Sequence, residues 1–136
     1  MEYLVGLLLA VAVVVFAAVI GFDRERSFYA TVLIVVATYY VLFAVMGASS
    51  RTLIIEIAAA SVFFLFAVLG FKGSLWLVAA ALVGHGIFDF VRPGFIGNPG
   101  VPRWWPGFCM AFDVIFGGWL ALRLLQRRNF PHPSVQ

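Results

Sequence analysis

Four ionisable side chains lie inside strongly apolar stretches of this sequence: Glu56, His85, Asp89 and Asp113. If these stretches cross a bilayer, each ionised group costs about 2.5 kcal/mol or more unless it is paired or protonated. Intramembrane groups of this kind are therefore functional candidates by default. An imidazole beside carboxylates can hold or pass a proton near neutral pH, and the same groups can bind a cation.

The spacing of these residues predicts which of them meet. His85 and Asp89 are four residues apart, as are Cys109 and Asp113, so each pair shares one face of a helix. At roughly 1.5 Å per residue, His85 and Asp113 both lie about 9 Å inside consecutive segments that run in opposite directions. Asp89 and Cys109 both lie about 3 Å inside. We therefore expect His85 to pair with Asp113, and Asp89 to lie level with Cys109.

Arg92 and Glu56 extend this group of polar residues. Arg92 follows Asp89 by three residues, and Glu56 lies about 4.5 Å inside its segment from the same side of the bilayer. This convergence in one leaflet predicts a polar cavity. The primary candidates for ligand binding or proton handling are His85, Asp89, Asp113, Glu56 and Arg92. The secondary candidates are Cys109, Trp104, Trp105 and Tyr39.

Two other interpretations of this group stay open. Polar side chains hold membrane helices together at about 1 kcal/mol each, so the group could be a structural staple. Three embedded acids with a histidine are costly for that purpose alone, which favours a functional cavity. His85, Asp89, Cys109 and Asp113 are also a mixed ligand set that zinc or another transition metal accepts. No CxxC, HxxxH or HExxH motif supports a metal, so the sequence predicts no bound metal or other cofactor.

The composition of the chain indicates which elements carry these residues. Its 136 residues are 64% hydrophobic and 11% charged, with a mean hydropathy of +1.07. Soluble domains carry about 25% charged residues, and disordered chains combine low hydrophobicity with high charge, so both classes are excluded. Charged residues separate apolar runs of about 20 residues, the length that a membrane-crossing helix needs. We predict an all-α fold, an integral membrane bundle of about five transmembrane helices near residues 3–22, 28–47, 53–71, 75–91 and 107–125.

The connections between these runs are short except for residues 92–106. This stretch holds four prolines and three glycines, which predict an irregular external loop. Trp104 and Trp105 within it are typical of the bilayer interface. We expect residues 1–125 to form a single transmembrane domain, and residues 126–136, including His132, to form a polar cytoplasmic tail.

Lysine and arginine counts predict the orientation in the membrane. With the N-terminus outside, six basic residues lie on the inner side and three on the outer side, as the positive-inside rule requires. The predicted location is a bacterial inner membrane, with the C-terminus cytoplasmic. The expected partners are the lipid bilayer, an ion or small-molecule ligand, and further copies of the chain in a homo-oligomer. A nucleic-acid partner is not expected, because the basic residues lie at the ends of apolar runs.

Two stretches, GHGIFDFVRPGF and RWWPGFCMAFD, resemble the small, uncharacterised multi-helix integral membrane proteins of bacteria. The resemblance covers mainly residues 84–113. It implies a bacterial multi-pass membrane protein, and no activity is carried over from it. The type of site, with acids embedded in a helical bundle, is similar to that of sterol-isomerase-like proteins. Ceramidase-like hydrolases need several metal-binding histidines, whereas this chain embeds only His85.

These observations predict a cavity of His, Asp and Glu side chains in the outer leaflet that binds or moves a proton, a cation or a small amphiphile. A second function class is a membrane-embedded enzyme, in which His85 with Asp89 or Asp113 acts as an acid–base pair on a lipid-soluble substrate. A third class is an accessory or scaffold subunit. The classes differ in whether a cavity reaches His85 and whether that cavity opens to lipid.

Overall fold

The computed structural model describes residues 1–47 and 49–129, which form five α-helices. The helices are α1 (Glu2–Ile20), α2 (Arg26–Gly47), α3 (Ser50–Lys72), α4 (Leu75–Val91) and α5 (Trp105–Asn129). Short 3-10 turns follow α1 and α4, at Phe22–Arg24 and Arg92–Gly94. Ala48 and residues 130–136, including His132 of the predicted tail, lie outside the described residues.

Each helix, α4 together with its 3-10 turn, is long and apolar enough to cross a membrane. The prediction of an all-helical membrane bundle is therefore confirmed. Helices satisfy their own backbone hydrogen bonds, which lipid cannot do, and this requirement explains why such apolar runs form helices.

The last helix is longer at both ends than the sequence predicts. α5 begins at Trp105, inside the stretch predicted as a loop, and its first turn holds Pro106. A proline is tolerated there because the first N–H groups of a helix have no intrahelical partner. The helix runs on to Asn129, so residues 126–129 of the predicted tail are helical.

The helices run up and down and pack mostly in pairs. α4 packs most extensively against α5, α1 packs on α5, and α2 packs on α3. One end of the bundle holds the starts of α1, α3 and α5 and the ends of α2 and α4, as contacts of Gly107 with Tyr3, and of Gly47 with Gly100, show. We call it the loop end, because residues 95–104 lie there, and we call the other end the turn end.

Close contact between α4 and α5 depends on small residues. A Cβ added at Gly86 would lie 3.1 Å from both the Met110 carbonyl oxygen and Asp113 Cβ, and one at Gly117 would be equally crowded against α4. Such glycines allow membrane helices to approach closely. Gly86 follows His85 directly, so this contact brings the polar faces of the two helices together.

Polar contacts at the turn end are structural. Arg26 donates hydrogen bonds of 2.8–3.1 Å to carbonyl oxygens at the C-terminus of α3. Asp23 is buried and forms an ion pair with Arg123 of α5. The Tyr29 hydroxyl donates a 2.9 Å hydrogen bond to the Asp23 carbonyl oxygen. These contacts join the ends of α1, α2, α3 and α5. The remaining buried charged residues lie nearer the loop end.

Candidate intramembrane polar site

Four buried side chains of α4 and α5 meet toward the loop end: His85, Asp89, Cys109 and Asp113. Each is at most 2% exposed, and one ligand atom from each lies within 4.8 Å of the others. His85 Nδ1 lies 2.7 Å from Asp113 Oδ2 and 3.5 Å from Asp89 Oδ2. The Cys109 thiol donates a 3.6 Å hydrogen bond to Asp113 Oδ2. We call these four residues the polar cluster.

The local sequence explains why the cluster forms. His85 and Asp89 lie one turn apart on α4, and Cys109 and Asp113 lie one turn apart on α5, so each helix presents one polar face. The two helices are antiparallel neighbours. The structure therefore brings together the pair that equal depth predicts, His85 and Asp113, and closes Asp89 and Cys109 around it.

Several polar atoms of the cluster have no partner among the described residues. Both carboxylate oxygens of Asp89 and the Oδ1 atom of Asp113 are buried without a hydrogen bond. The hydroxyl of Tyr40, whose ring centroid lies 6.3 Å from that of His85, is also buried and unpartnered. A buried polar group without a partner costs about 1–3 kcal/mol, and more if it is charged. Such a concentration of free acceptors could be satisfied by a proton, a water molecule or an ion.

Arg92 and Glu56 are buried beside the cluster and pair with each other. They form an ion pair, in which Arg92 Nε also donates to Glu56 Oε2 at 3.3 Å. The amide of Asn98 donates to Glu56 Oε1 at 2.9 Å and to the Tyr40 carbonyl oxygen at 3.2 Å. Arg92 Cζ lies 3.9 Å from the centroid of the Tyr40 ring. This Arg92–Glu56 network neutralises its own charges and holds Tyr40 against the cluster.

The aromatic secondary candidates lie apart from the cluster. Tyr39 is 36% exposed, and its ring packs against Trp105 with centroids 4.9 Å apart. Trp104 is 51% exposed at the start of α5, as expected for an interfacial tryptophan. The ring of Phe63 in α3 does contact His85. The two rings meet edge to face, with their centroids 4.6 Å apart.

Two further residues lie near the cluster: Asn98, which the sequence does not single out, and Tyr40, which like Tyr39 could donate a hydroxyl to the cavity from mid-α2, although core packing is the sequence expectation for it. A signal for Tyr40 exists, because Leu33, Ala37, Tyr40 and Ala44 follow a helical repeat and are all buried, whereas Tyr39 falls on the adjacent face. No local signal marks Asn98, because it lies in a loop whose path depends on contacts with α2 and α3.

An apolar crevice of about 350 Å³ lies between α1 and α2, with α5 as its floor. Its lining is almost entirely hydrophobic and includes Tyr39, Trp105 and Cys109. Cys109 belongs both to this lining and to the polar cluster. The crevice and the polar cluster are therefore neighbours that share Cys109.

No protein family, curated protein or solved structure matches this chain. The chemistry of the site is therefore inferred from the geometry of its residues alone. One imidazole nitrogen, two carboxylates and a thiol converge in the buried interior of the bundle, and these groups can share a proton or surround a cation.

Proposed function

We propose that the protein binds or moves a proton or a small cation through the polar cluster. The observation that carries this proposal is the pair of unpartnered oxygens on Asp89, which is 0% exposed and lies one helical turn from His85. A structural staple would use its hydrogen-bonding groups between helices, and Asp89 makes no inter-helix hydrogen bond of ordinary geometry among the described residues, although Tyr40 and Cys109 lie near it. A buried carboxylate that does not join helices is better explained by a ligand than by packing.

We further propose that the loop end faces the outside of a bacterial inner membrane and that the C-terminus is cytoplasmic. The support is the basic-residue asymmetry of six to three. Arg92, one of the three, is 2% exposed and paired with Glu56, so it does not face lipid headgroups. Arg123 on the inner side is likewise paired, with Asp23, so leaving out both arginines gives five inner and two outer basic residues.

Two measurements on the purified protein test the proposed function. The first is thermal unfolding in detergent with added H⁺, Na⁺, K⁺, Mg²⁺, Ca²⁺, Mn²⁺ or Zn²⁺, because a ligand at 100 times its Kd stabilises the native state by about 2.7 kcal/mol. The second is ion flux into liposomes that contain the protein and an ion-sensitive dye. We expect a response to a proton or cation in at least one assay, and Asp89→Asn should remove it.

Asp23→Asn is the matched control, because Asp23 is also a buried acid but lies at the turn end, paired with Arg123. This variant should keep the ion response of the wild type. A wild-type protein that responds to no proton or cation in either assay would overturn the proposed function.

The crevice favours a second candidate function, a membrane-embedded enzyme acting on a lipid-soluble substrate. Because Cys109 belongs both to the lining of this crevice of about 350 Å³ and to the polar cluster, an amphiphile bound in the crevice would lie beside the cluster. Here His85 with Asp89 or Asp113 would exchange protons with the substrate. Lipids extracted from the purified wild type and from a crevice-filling Val36→Phe variant would test this function. A bound amphiphile present only in the wild type supports it, and identical lipid profiles oppose it.

A further inference from the structure

We propose that the polar cluster is a binding site for a divalent transition metal of the zinc type, held by His85, Asp89, Cys109 and Asp113. The inference deepens the proposed function by naming the class of cation. It goes beyond the sequence motifs, since none of the familiar metal-binding spacings occurs in the chain. The ligands come as two i, i+4 pairs from two helices, a set that the sequence offers and whose ligand atoms the structure brings within 4.8 Å of one another.

The four ligand atoms lie within 4.8 Å of one another, close enough for small shifts to place them around one tetrahedral metal. Metal–ligand bonds of about 2.0–2.3 Å place neighbouring ligand atoms of a tetrahedron roughly 3.3–3.8 Å apart. Two of the separations fall in this range, 3.5 Å between His85 Nδ1 and Asp89 Oδ2 and 3.6 Å between Cys109 Sγ and Asp113 Oδ2. The 2.7 Å contact of His85 with Asp113 would open by less than about 1 Å to admit the ion.

The free acceptors of the cluster point independently to a ligand. Asp89 is completely buried, and neither of its oxygens accepts a hydrogen bond of ordinary geometry among the described residues, although Tyr40, His85 and Cys109 lie near it. The Oδ1 atom of Asp113 is in the same state. A metal ion bound between the two carboxylates would provide these unpaired oxygens with a positive partner.

The kinds of ligand select the class of metal. Mg²⁺ and Ca²⁺ take about six to eight oxygen ligands, and the cluster offers two carboxylates, one nitrogen and one sulfur. A thiolate with an imidazole favours Zn²⁺ or a similar transition ion. The two aspartates and the Cys109 thiolate carry three negative charges, so they neutralise a divalent cation and leave the filled site with one net negative charge.

Metal binding also has a defined proton balance. The Cys109 S–H bond breaks as the sulfur–metal bond forms, and the thiol proton leaves to water, because only the thiolate is a good ligand. The His85 nitrogen that binds must be unprotonated, so its proton moves to the other ring nitrogen or is released. We therefore expect about one proton or more to appear in solution for each ion bound.

Residues around the cluster supply the outer layer of such a site. Phe63 closes one side of His85 with its ring edge, and the Arg92–Glu56 network holds Tyr40 on another side. The Tyr40 hydroxyl, buried without a partner, is available to donate a hydrogen bond to a metal-bound carboxylate. Such outer hydrogen bonds orient metal ligands and tune their basicity.

The test is metal binding by the full-length purified protein, stripped with a chelator and then loaded with Zn²⁺ or Co²⁺ alone. We expect one tightly bound ion per chain by elemental analysis, and a thiolate-to-cobalt charge-transfer band in the Co²⁺ form. Asp89→Asn should weaken binding by at least about tenfold, since even outer-layer changes cost that much. Cys109→Ser should remove the charge-transfer band.

Control variants keep the result interpretable. Tyr39→Phe and Asp23→Asn lie outside the cluster and should bind Co²⁺ with the wild-type spectrum. Size-exclusion profiles and thermal unfolding of every variant separate a lost ligand from a lost fold. If Cys109→Ser folds and keeps the Co²⁺ spectrum unchanged, or if the wild type takes up no Zn²⁺ or Co²⁺, the metal proposal is overturned.

The same experiments separate this proposal from the proposed function. An Asp89-dependent response to protons or to alkali cations, with no uptake of Zn²⁺ or Co²⁺, keeps the proposed function and removes the metal site. Absence of every ion response, metals included, removes both.

Discussion

His85 Nδ1 lies 2.7 Å from Asp113 Oδ2, and this bond ties α4 to α5 inside the bundle. The same nitrogen is 3.5 Å from Asp89 Oδ2, too far for a good hydrogen bond. Two carboxylates thus lie near one imidazole nitrogen, and only Asp113 is close enough to form a hydrogen bond with it. The two acids should therefore differ in what they do: Asp113 contributes to the packing of α4 on α5, and Asp89 stays available for a ligand.

Replacing each acid with asparagine should separate these two roles. Asp113→Asn loses a charge-assisted hydrogen bond, which is worth about 1.5–3 kcal/mol of stability. Asp89→Asn breaks no hydrogen bond of ordinary geometry among the described residues, so we expect a smaller loss of stability than Asp113→Asn causes. Thermal unfolding in detergent with a chelator present measures both. Equal losses of stability in the two variants would contradict the division of roles.

Gly86 should be sensitive to a single added methyl group. Gly86→Ala places a Cβ 3.1 Å from Asp113 Cβ and 3.2 Å from Val114 Cγ2, so α4 and α5 must move apart. We expect a loss of about 1–3 kcal/mol from overpacking, together with weaker ion binding as His85 leaves Asp113.

Gly84→Ala is the matched control for this change. Gly84 is also in α4, and a Cβ there meets nothing within 4 Å. Alanine favours helix over glycine by up to about 1 kcal/mol, so stability should hold or rise. If the two variants behave alike in unfolding and ion binding, close packing at Gly86 is not what aligns the cluster.

Breaking the Arg92–Glu56 ion pair from one side should be severe. Both side chains are at most 2% exposed, so Arg92→Met leaves an uncompensated buried carboxylate at a cost of about 3–5 kcal/mol. Glu56→Gln should cost a comparable amount, because Arg92 then keeps its charge without a partner. The double variant should be more stable than the sum of the single effects predicts, since neither charge is left alone.

Arg103→Met serves as the control for the removal of an arginine, since Arg103 is exposed in the loop. Its effect on unfolding in detergent should lie within about 0.5 kcal/mol. Strict additivity of Arg92→Met and Glu56→Gln would show that the two side chains do not interact.

The sequence predicts the cluster well because helix geometry in a membrane is strongly constrained. Lipid permits few backbone conformations other than the helix, and a fixed rise per residue converts residue number into depth. His85 and Asp113 could therefore be matched across an antiparallel pair before the fold was known. The same constraint brings Cys109 beside Asp113 through the i, i+4 spacing.

The depth argument is weaker for residues whose neighbours lie far away in the sequence. Glu56 falls close to the interface by residue count, yet it is 1% exposed because Arg92 and Asn98 cover it. Asn98 reaches the bundle through the path of the loop, and Tyr40 rather than Tyr39 faces inward because of the rotation of α2. Helix rotation and loop path depend on contacts among several elements, and no single segment encodes them.

Cysteine labelling in intact cells should establish the proposed orientation. Phe95 lies at the loop end and is 82% exposed, and Lys72 is exposed at the end of α3 near the turn end. The natural Cys109 is 2% exposed and should resist a membrane-impermeant maleimide, so it can stay in place. With the N-terminus outside, Phe95→Cys should be labelled in intact cells and Lys72→Cys only after permeabilisation, because the more basic turn end stays inside. Labelling of Lys72→Cys alone in intact cells would reverse the orientation and place the polar cluster nearer the cytoplasm.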